Sequence, residues 1–330
     1  MDWRTNLIFV SAQPDVPYFH WQCEVYLNNF RNMGIPMKNV HVIFAITQEN
    51  GQLSLGALAL QKYTKNIHSY SDERDRKHYI PSIKPYLIYK WLEDFPQLGR
   101  VMFLHDSDIM LNSLPNFDEL MNNRVNYYSD AGGYMNFQYI MDCSTKYEEK
   151  HPSLDRGQLL REMCDVIGIE PGLVKKYNNS SGGAQYVLKF QEWQHWYKIY
   201  KDSIVLYDKL LRFHNKYPIE SGEIQFWTAE MWSVLWNLWW WETTTNTTTN
   251  VTDELSFCWA TDHIVHCDSN KILHMAGITE DSKTNKFYKG DFIDSNPIQL
   301  VKDNPSYFDY VDTTSSTYKY VQEIKKLSQK

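Results

Sequence analysis

The chain has 330 residues, enough for one large α/β domain with additions. A formal net charge of −7 argues against a polyanion-binding surface, since nucleic-acid binders gather Lys and Arg in a stripe. "RDRKH" at 74–78 is too short to supply one, and no run of about 18 apolar residues occurs, so neither nucleic acid nor an integral membrane segment is expected.

Five cysteines (Cys23, Cys143, Cys164, Cys258, Cys267) are widely spaced with no C-x-x-C, and the first residues lack a basic-then-apolar signal pattern. Free thiols in a reducing, cytoplasmic compartment are the expectation, with the sequons at Asn178, Asn179, Asn246 and Asn250 unused. Asn-, Lys- and Tyr-rich composition fits a microbial or viral source.

In chain order, "NLIFVSAQP" (6–14) is an apolar run ending in small and polar residues, the pattern of a buried strand entering a loop. "YFHWQCEVYLNNFRNMG" has helical spacing and a stop at Gly34. "NVHVIFAIT" (39–47) is a second strand, and "PSIKPYLIYKWLEDFP" a helix with Leu87, Trp91 and Leu92 on one side. "RVMFLHDSDIML" then supplies a third strand. Alternating strands and helices predict a parallel sheet with crossover helices, where ligands gather at the carboxyl ends of the strands. Further on, "NYYSDAGGYM" (126–135) is a strand entering a Gly turn, and "HPSLDRGQLLREMCDVIGIEPGLVKKY" a helix and a Pro-Gly turn. "NNSSGGAQYVLK" (178–189) is a small-residue loop opening a strand, and "FQEWQHWYKIYKDSIVLYDKLLRFHNKY" a long amphipathic helix. "IQFWTAEMWSVLWNLWWWE" (224–242) reads as a buried helix, its Trp232, Trp236, Trp239 and Trp240 forming a core stripe, with Trp241 a candidate sugar platform. "TTTNTTTNVT" reads as a mobile polar loop, and residues 295–330 as a surface appendage.

"FLHDSDIML" (103–111) carries the chemistry. Hard divalent cations take oxygen ligands, and Mg²⁺ or Mn²⁺ is commonly held by carboxylates together with substrate phosphates. Alternate residues of a strand face opposite ways, so the chain must turn at Ser107 if Asp106 and Asp108 are to reach one ion. Taken alone the pattern also suits a simple turn. "KILHMAG" (271–277) adds His274, an imidazole of the kind that binds Mn²⁺-like ions, or else a hydrogen-bonded core histidine. Lys286 and Lys289 in "NKFYKGDF" are cations suited to a diphosphate leaving group.

D-x-D after an apolar strand, "GGAQYVL", "WTAEMW" and "ILH-x-x-G", in that order over residues 5–292, together resemble a GT-A glycosyltransferase. The detail is most similar to the hydroxyproline O-arabinosyltransferase and peptidyl serine O-galactosyltransferase group, and D-x-D with a late His is similar to glycogenin-type retaining enzymes. The acceptor-side loops depart from that group, and its usual membrane anchor is not seen. The resemblance implies an α/β, Rossmann-like nucleotide-diphospho-sugar transferase fold with a mixed, mainly parallel sheet flanked by helices. A catalytic domain over 1–294 is implied, with a nucleotide-sugar half to about 115, an acceptor half from about 116, and the 295–330 appendage beyond.

It further implies Asp106, Asp108 and His274 as ligands of Mn²⁺ or Mg²⁺ on the diphosphate of a nucleotide-sugar, a UDP-sugar by expectation. Asp106 and Ser107 would also touch the donor, with Asp106 dividing its contacts between ion and ribose. Ser11, Ala12 and Gln13 would meet the nucleoside, and Lys84 and Arg76 the ribose or phosphates. Lys286 and Lys289 would stabilise the leaving group. Asp130 would bind sugar hydroxyls, and Ser181, Gly182, Gly183, Ala184 and Gln185 would lie along the sugar. Glu230 would orient acceptor or sugar in a retaining enzyme and serve as base in an inverting one; a structural, buried role is the alternative. Retention is favoured, and a glycan or glycoprotein is the implied acceptor. Rival readings are a metal-dependent nucleotidyltransferase and a carbohydrate-binding protein with a relict metal site.

Overall fold

The structure, a computed structural model, describes residues 2–121, 124–245 and 247–330; Asn246 of the third sequon lies outside them. Its strands, in chain order, are β1 Ile8–Pro14, β2 Val40–Ile46, β3 Asn66–Ser71, β4 Val101–Leu104, β5 Ile109–Leu111, β6 Val125–Asp130, β7 Gly182–Lys189, β8 Thr248–Val251, β9 Phe257–Trp259 and β10 Ile272–His274. The chain divides into two compact units.

The first unit comprises Met1–Asp72, Met102–Asn122 and Asp253–Lys330. Its sheet runs β3-β2-β1-β4, every pairing parallel, with Phe9 opposite both Val40 and Phe103. β1 and β2 are buried on both faces, which is why they read as continuous apolar runs instead of alternating ones. The Pro17–Asn32 helix returns from β1, and the chain leaves it through Gly34 at φ +78°, a left-handed position that favours glycine. Trp21 of that helix donates through Nε1 to the carbonyl of Phe292, 3.0 Å away.

Residues after 294 belong to this core and are not an appendage. The Thr317–Ser328 helix buries Tyr320, Val321 and Ile324 completely, and Asn28 donates to its Glu323 at 2.6 Å. Its apolar residues recur at helical spacing and find the Pro17–Asn32 helix as partner.

A second, small sheet in the same unit runs β5-β10-β9. β10 is antiparallel to β5 and parallel to β9. Cys258 of β9 and Cys267 of the Ile264–Ser269 helix form a disulfide with Cα atoms 5.3 Å apart. This corrects the expectation of free thiols, and with it the reason for placing the chain in a reducing, cytoplasmic compartment. The two cysteines are nine apart, but the turn between β9 and the helix folds them together. Cys23, Cys143 and Cys164 are free and buried.

The second unit comprises Glu73–Val101 and Asn123–Thr252. Here β6 lies between β7, antiparallel, and β8, parallel. β8 falls in the threonine tract expected as a mobile loop; β-branched Thr suits a strand once an edge is available to pair with. The Trp193–Lys216 helix packs on the Ile83–Asp94 and Ala229–Glu242 helices. Trp232, Trp236 and Trp239 are wholly buried and form core, whereas Trp240, the fourth member of the predicted stripe, is only partly buried. The Phe137–Lys150 helix and β3 escaped the sequence reading, and the predicted Pro-Gly turn is a short helix, Pro171–Lys176. Overall the architecture is α/β with a mixed, mainly parallel set of strands flanked by helices, and no helix among the described residues is long and apolar enough to cross a membrane.

β5 is held by a side-chain clip. Asn29 accepts from the Leu111 N–H at 2.8 Å and donates to its carbonyl at 3.1 Å, all buried. Asn29→Ala leaves both backbone groups without that partner, and urea unfolding should register a loss of about 2–4 kcal/mol.

Candidate metal centre and neighbouring groups

β4 ends at Leu104, and residues 105–108 turn before β5 begins at Ile109. That turn frees the two aspartates from strand alternation. His274 arrives through β10, whose register places it opposite Ile109. The Met275 N–H donates to the Asp108 carbonyl at 2.9 Å, fixing the pairing at the site itself. His274 Nε2 lies 3.3 Å from Asp108 Oδ1 and 3.6 Å from Asp106 Oδ2. Trp259 stacks on the imidazole, with centroids 5.9 Å apart, and orients it. One ligand atom from each of Asp106, Asp108 and His274 falls within 4.8 Å of the others.

Two carboxylates and an imidazole suit a divalent ion of the Mn²⁺ or Mg²⁺ kind: hard oxygens and one borderline nitrogen. Lys289 pairs with Asp108 Oδ2. Burial opposes the charge on Asp108, yet the Lys289 ammonium and His274 hold its carboxyl well below the usual range. Asp108 in turn raises Lys289 against its own burial. Lys289 opens a single-turn helix pinned by Phe292, which stacks on Phe287 at 5.1 Å.

Around this centre the predicted donor residues divide. Ser107 donates to Gln22 at 3.0 Å, and Ser11 shares a 2.7 Å hydrogen bond with Tyr26, so both hydroxyls are engaged beneath the strand ends. Ala12 is almost buried. Gln13 donates to the Ile43 carbonyl at 3.3 Å, while its Oε1 is buried with no hydrogen-bond partner among the described residues. Lys286 lies half-buried in the turn before Lys289.

One network was not foreseen. Asp15, just past β1, accepts from Ser54 N at 2.7 Å and contacts Ser54 Oγ at 2.5 Å and His20 Nε2 at 2.6 Å. Burial raises its pKa, but His20 and Ser54 outweigh that and lower it. The network ties the loop leading to Ser54 onto the end of β1. Only the prolines flanking Asp15 hint at a shaped turn; nothing in the spacing announces Ser54.

The remaining predicted residues belong to the second unit. Glu230, nearly buried, pairs with Lys84 at 3.3 Å, and its backbone N–H donates to Tyr79 Oη at 2.8 Å. Arg76 is exposed and pairs with Asp208 at 2.6 Å, whereas Arg74 is buried and donates to Tyr79, Ile80 and Ser82. Asp130 is exposed and accepts from Gly132 N at 2.7 Å. Gln185 is fully buried and accepts from Ser129 Oγ at 3.0 Å, and the same hydroxyl donates to Gly183 O. Ser181 is buried, and a Cβ at Gly182 would strike the Tyr128 ring and Ser129 O, so packing within the protein demands that glycine. Ala184 holds φ +71°, strained for a residue with a Cβ.

No protein-family model matches the chain, and no curated protein does. Among solved structures, the bifunctional glycosyltransferase WbbM aligns at 9% identity over 92% of this chain and 51% of its own, with a TM-score of 0.44. The chain thus spans about half of WbbM's length. The galactosyltransferase LgtC, in complex with donor and acceptor sugar analogs, aligns at 12% identity over 83% of this chain and 90% of its own, TM-score 0.38. Mouse xyloside xylosyltransferase 1 aligns at 9% identity over 84% and 98%, TM-score 0.38.

Lys84 offsets a nearly buried carboxylate. Lys84→Met should cost about 2–4 kcal/mol in chemical denaturation, and Glu230→Gln in the same chain should recover most of it. Cys258→Ser with Cys267→Ser should lower stability by about 2–3 kcal/mol and the midpoint of thermal unfolding with it.

Proposed function

We propose that the chain is a GT-A-type glycosyltransferase that moves a sugar from a nucleotide-diphosphate sugar, by expectation a UDP-sugar, to a glycan or glycoprotein. The observation that carries this reading is the cluster of Asp106, Asp108 and His274 where a parallel strand ends, with Lys289 beside it. Carboxyl ends of parallel strands are where such sheets bind ligands. Asp106, Asp108 and His274 would hold Mn²⁺ or Mg²⁺, which supplies charge neutralisation for a departing diphosphate.

The protein's own groups have separable tasks. Lys289 provides a cation for the leaving oxygen once the nucleotide competes with Asp108 for it. Gln13, with its unpaired Oε1, offers a hydrogen-bond acceptor at the end of β1, beside Ser11 and Ala12 where the nucleoside would lie. Ser107 supports the turn through Gln22. Lys286 would add charge at the diphosphate. Glu230, oriented by Lys84, would position the acceptor or sugar, with Asp130 and Gln185 proposed for the sugar hydroxyls and residues 181–184 as the wall along it. Transfer with retention is the favoured course; under inversion Glu230 would take the acceptor proton.

A nucleotidyltransferase would need a basic, Gly-rich loop for a triphosphate after β1, and "SAQPDVPYFHW" does not provide one. A panel of nucleotide-sugars assayed with Mn²⁺ for nucleoside diphosphate release should identify a donor, and chelation should stop release. Asp108→Ala should lower turnover by at least about a hundredfold while the protein stays folded. Absence of metal-dependent release from every donor, or wild-type rates in the variant, would overturn the reading. The anomeric configuration of the first product, read by NMR, tests retention.

A further inference from the structure

The second unit contains a cavity of about 310 Å³ at the end of β7, lined in part by Arg124, Asn126, Lys189, Phe190, His195 and Trp241. Gly182–Gln185, proposed above to lie along the sugar, open β7, whereas Lys189 closes it, so the cavity shares none of the residues of the proposed transferase site.

Three features of the lining are costly to maintain. Lys189 is a lysine only 2% exposed, with its Nζ donating to the Val125 carbonyl at 3.0 Å and lying 5.0 Å from the centroid of the Tyr127 ring. Burial alone pushes its amine down to about 7. His195 lies against Trp241, and its Nδ1 is buried with no hydrogen-bond partner among the described residues. Phe190 holds φ +52° and leaves 51% of its surface exposed, although it carries a Cβ. Hydrogen bonds from Phe190 N to Arg100 O and from Gln191 N to Gly99 O, at 3.0 and 2.7 Å, fix that backbone and keep the ring turned outward.

We propose that this cavity is a second binding site, for a sugar ring that bears an anionic group, a phosphate or a carboxylate. Arg124 and Lys189 meet the anion, against a single exposed carboxylate, Glu192, in the lining. His195 Nδ1 accepts a hydrogen bond from or donates one to a ring hydroxyl, according to its tautomer, and the exposed Phe190 ring offers a flat apolar face. An arriving anion offsets the desolvation of Lys189, which discriminates against neutral sugars. The volume lies at the small end of ligand pockets and suits a monosaccharide.

Calorimetric titration of the full chain with glucose 6-phosphate, glucuronate, glucose and inorganic phosphate tests this. One or both anionic sugars should bind at millimolar concentration or below, glucose should not, and inorganic phosphate should bind more weakly than the sugar. Binding of one anionic sugar alone identifies its phosphate or its carboxylate as the group recognised. Lys189→Met and the exposed Arg124→Gln should each weaken binding by about tenfold or more, with sugar-donor hydrolysis unchanged in Arg124→Gln. Pyridoxal phosphate supplies an independent readout: the Lys189 amine attacks its aldehyde, water leaves, and borohydride reduces the imine to a stable secondary amine found by peptide mapping. Lys189 should be labelled, and the anionic sugar that binds should protect it. Failure of both anionic sugars to bind, equal binding of glucose or of bare phosphate, binding indifferent to Arg124→Gln, or labelling confined to other lysines would each overturn the proposal.

Discussion

The pairing of β10 with β5 is the constraint on which the candidate centre depends. Sequence alone separates the two aspartates from His274 by about half of the chain; a single antiparallel register closes that distance, and the Met275 to Asp108 hydrogen bond locks it at the cluster itself. The rest of the first unit supports this pairing. Asn29 fixes β5 from one side, β9 pairs with β10 on the other, and the Cys258–Cys267 bridge holds the chain that follows β9. A side-chain cluster assembled from one turn and one strand is held firmly because its backbone, not only its side chains, is hydrogen-bonded into place.

Electrostatics within the centre follow the same logic. Two aspartates facing one imidazole would repel each other in a buried turn, and Lys289 relieves that by pairing with the more buried of the two. Asp106 keeps more exposure and Asp108 less, so the two carboxylates are unequal before any ligand arrives. Under the proposed function, that inequality would suit Asp108 to the ion and leave Asp106 to divide its contacts between ion and donor.

What the sequence revealed was whatever has a local cause. Apolar runs gave β1, β2 and β4, helical spacing gave the Pro17–Asn32 and Ile83–Asp94 helices, and the D-x-D turn gave two of the three residues of the candidate centre. His274 was legible only because a short apolar strand and a glycine frame it. What depends on distant partners stayed hidden. Nothing beside Asp15 announces Ser54, nothing in "VLKF" tells that Lys189 is buried, and the threonine tract becomes β8 only because β6 has an open edge. The disulfide was missed for a similar reason: it needs a turn that folds back, which cysteine spacing does not report. Arg76 and Lys84 were read as cations for a ligand, but the structure gives each a carboxylate partner, Asp208 and Glu230.

The order in which the chain is made has a consequence for the first unit. It is assembled from three stretches, and its last one, from Asp253 onward, carries His274, Lys289 and the helix that covers Trp21 and its neighbours. The second unit is complete at Thr252. During synthesis, therefore, the half that starts first finishes last: β1, β2 and β4 must wait, with an apolar helix face uncovered, until the closing segment emerges. Arrest of translation just beyond Thr252 would leave every stretch of the second unit made, while the first lacked His274, Lys289 and the helix that covers Trp21.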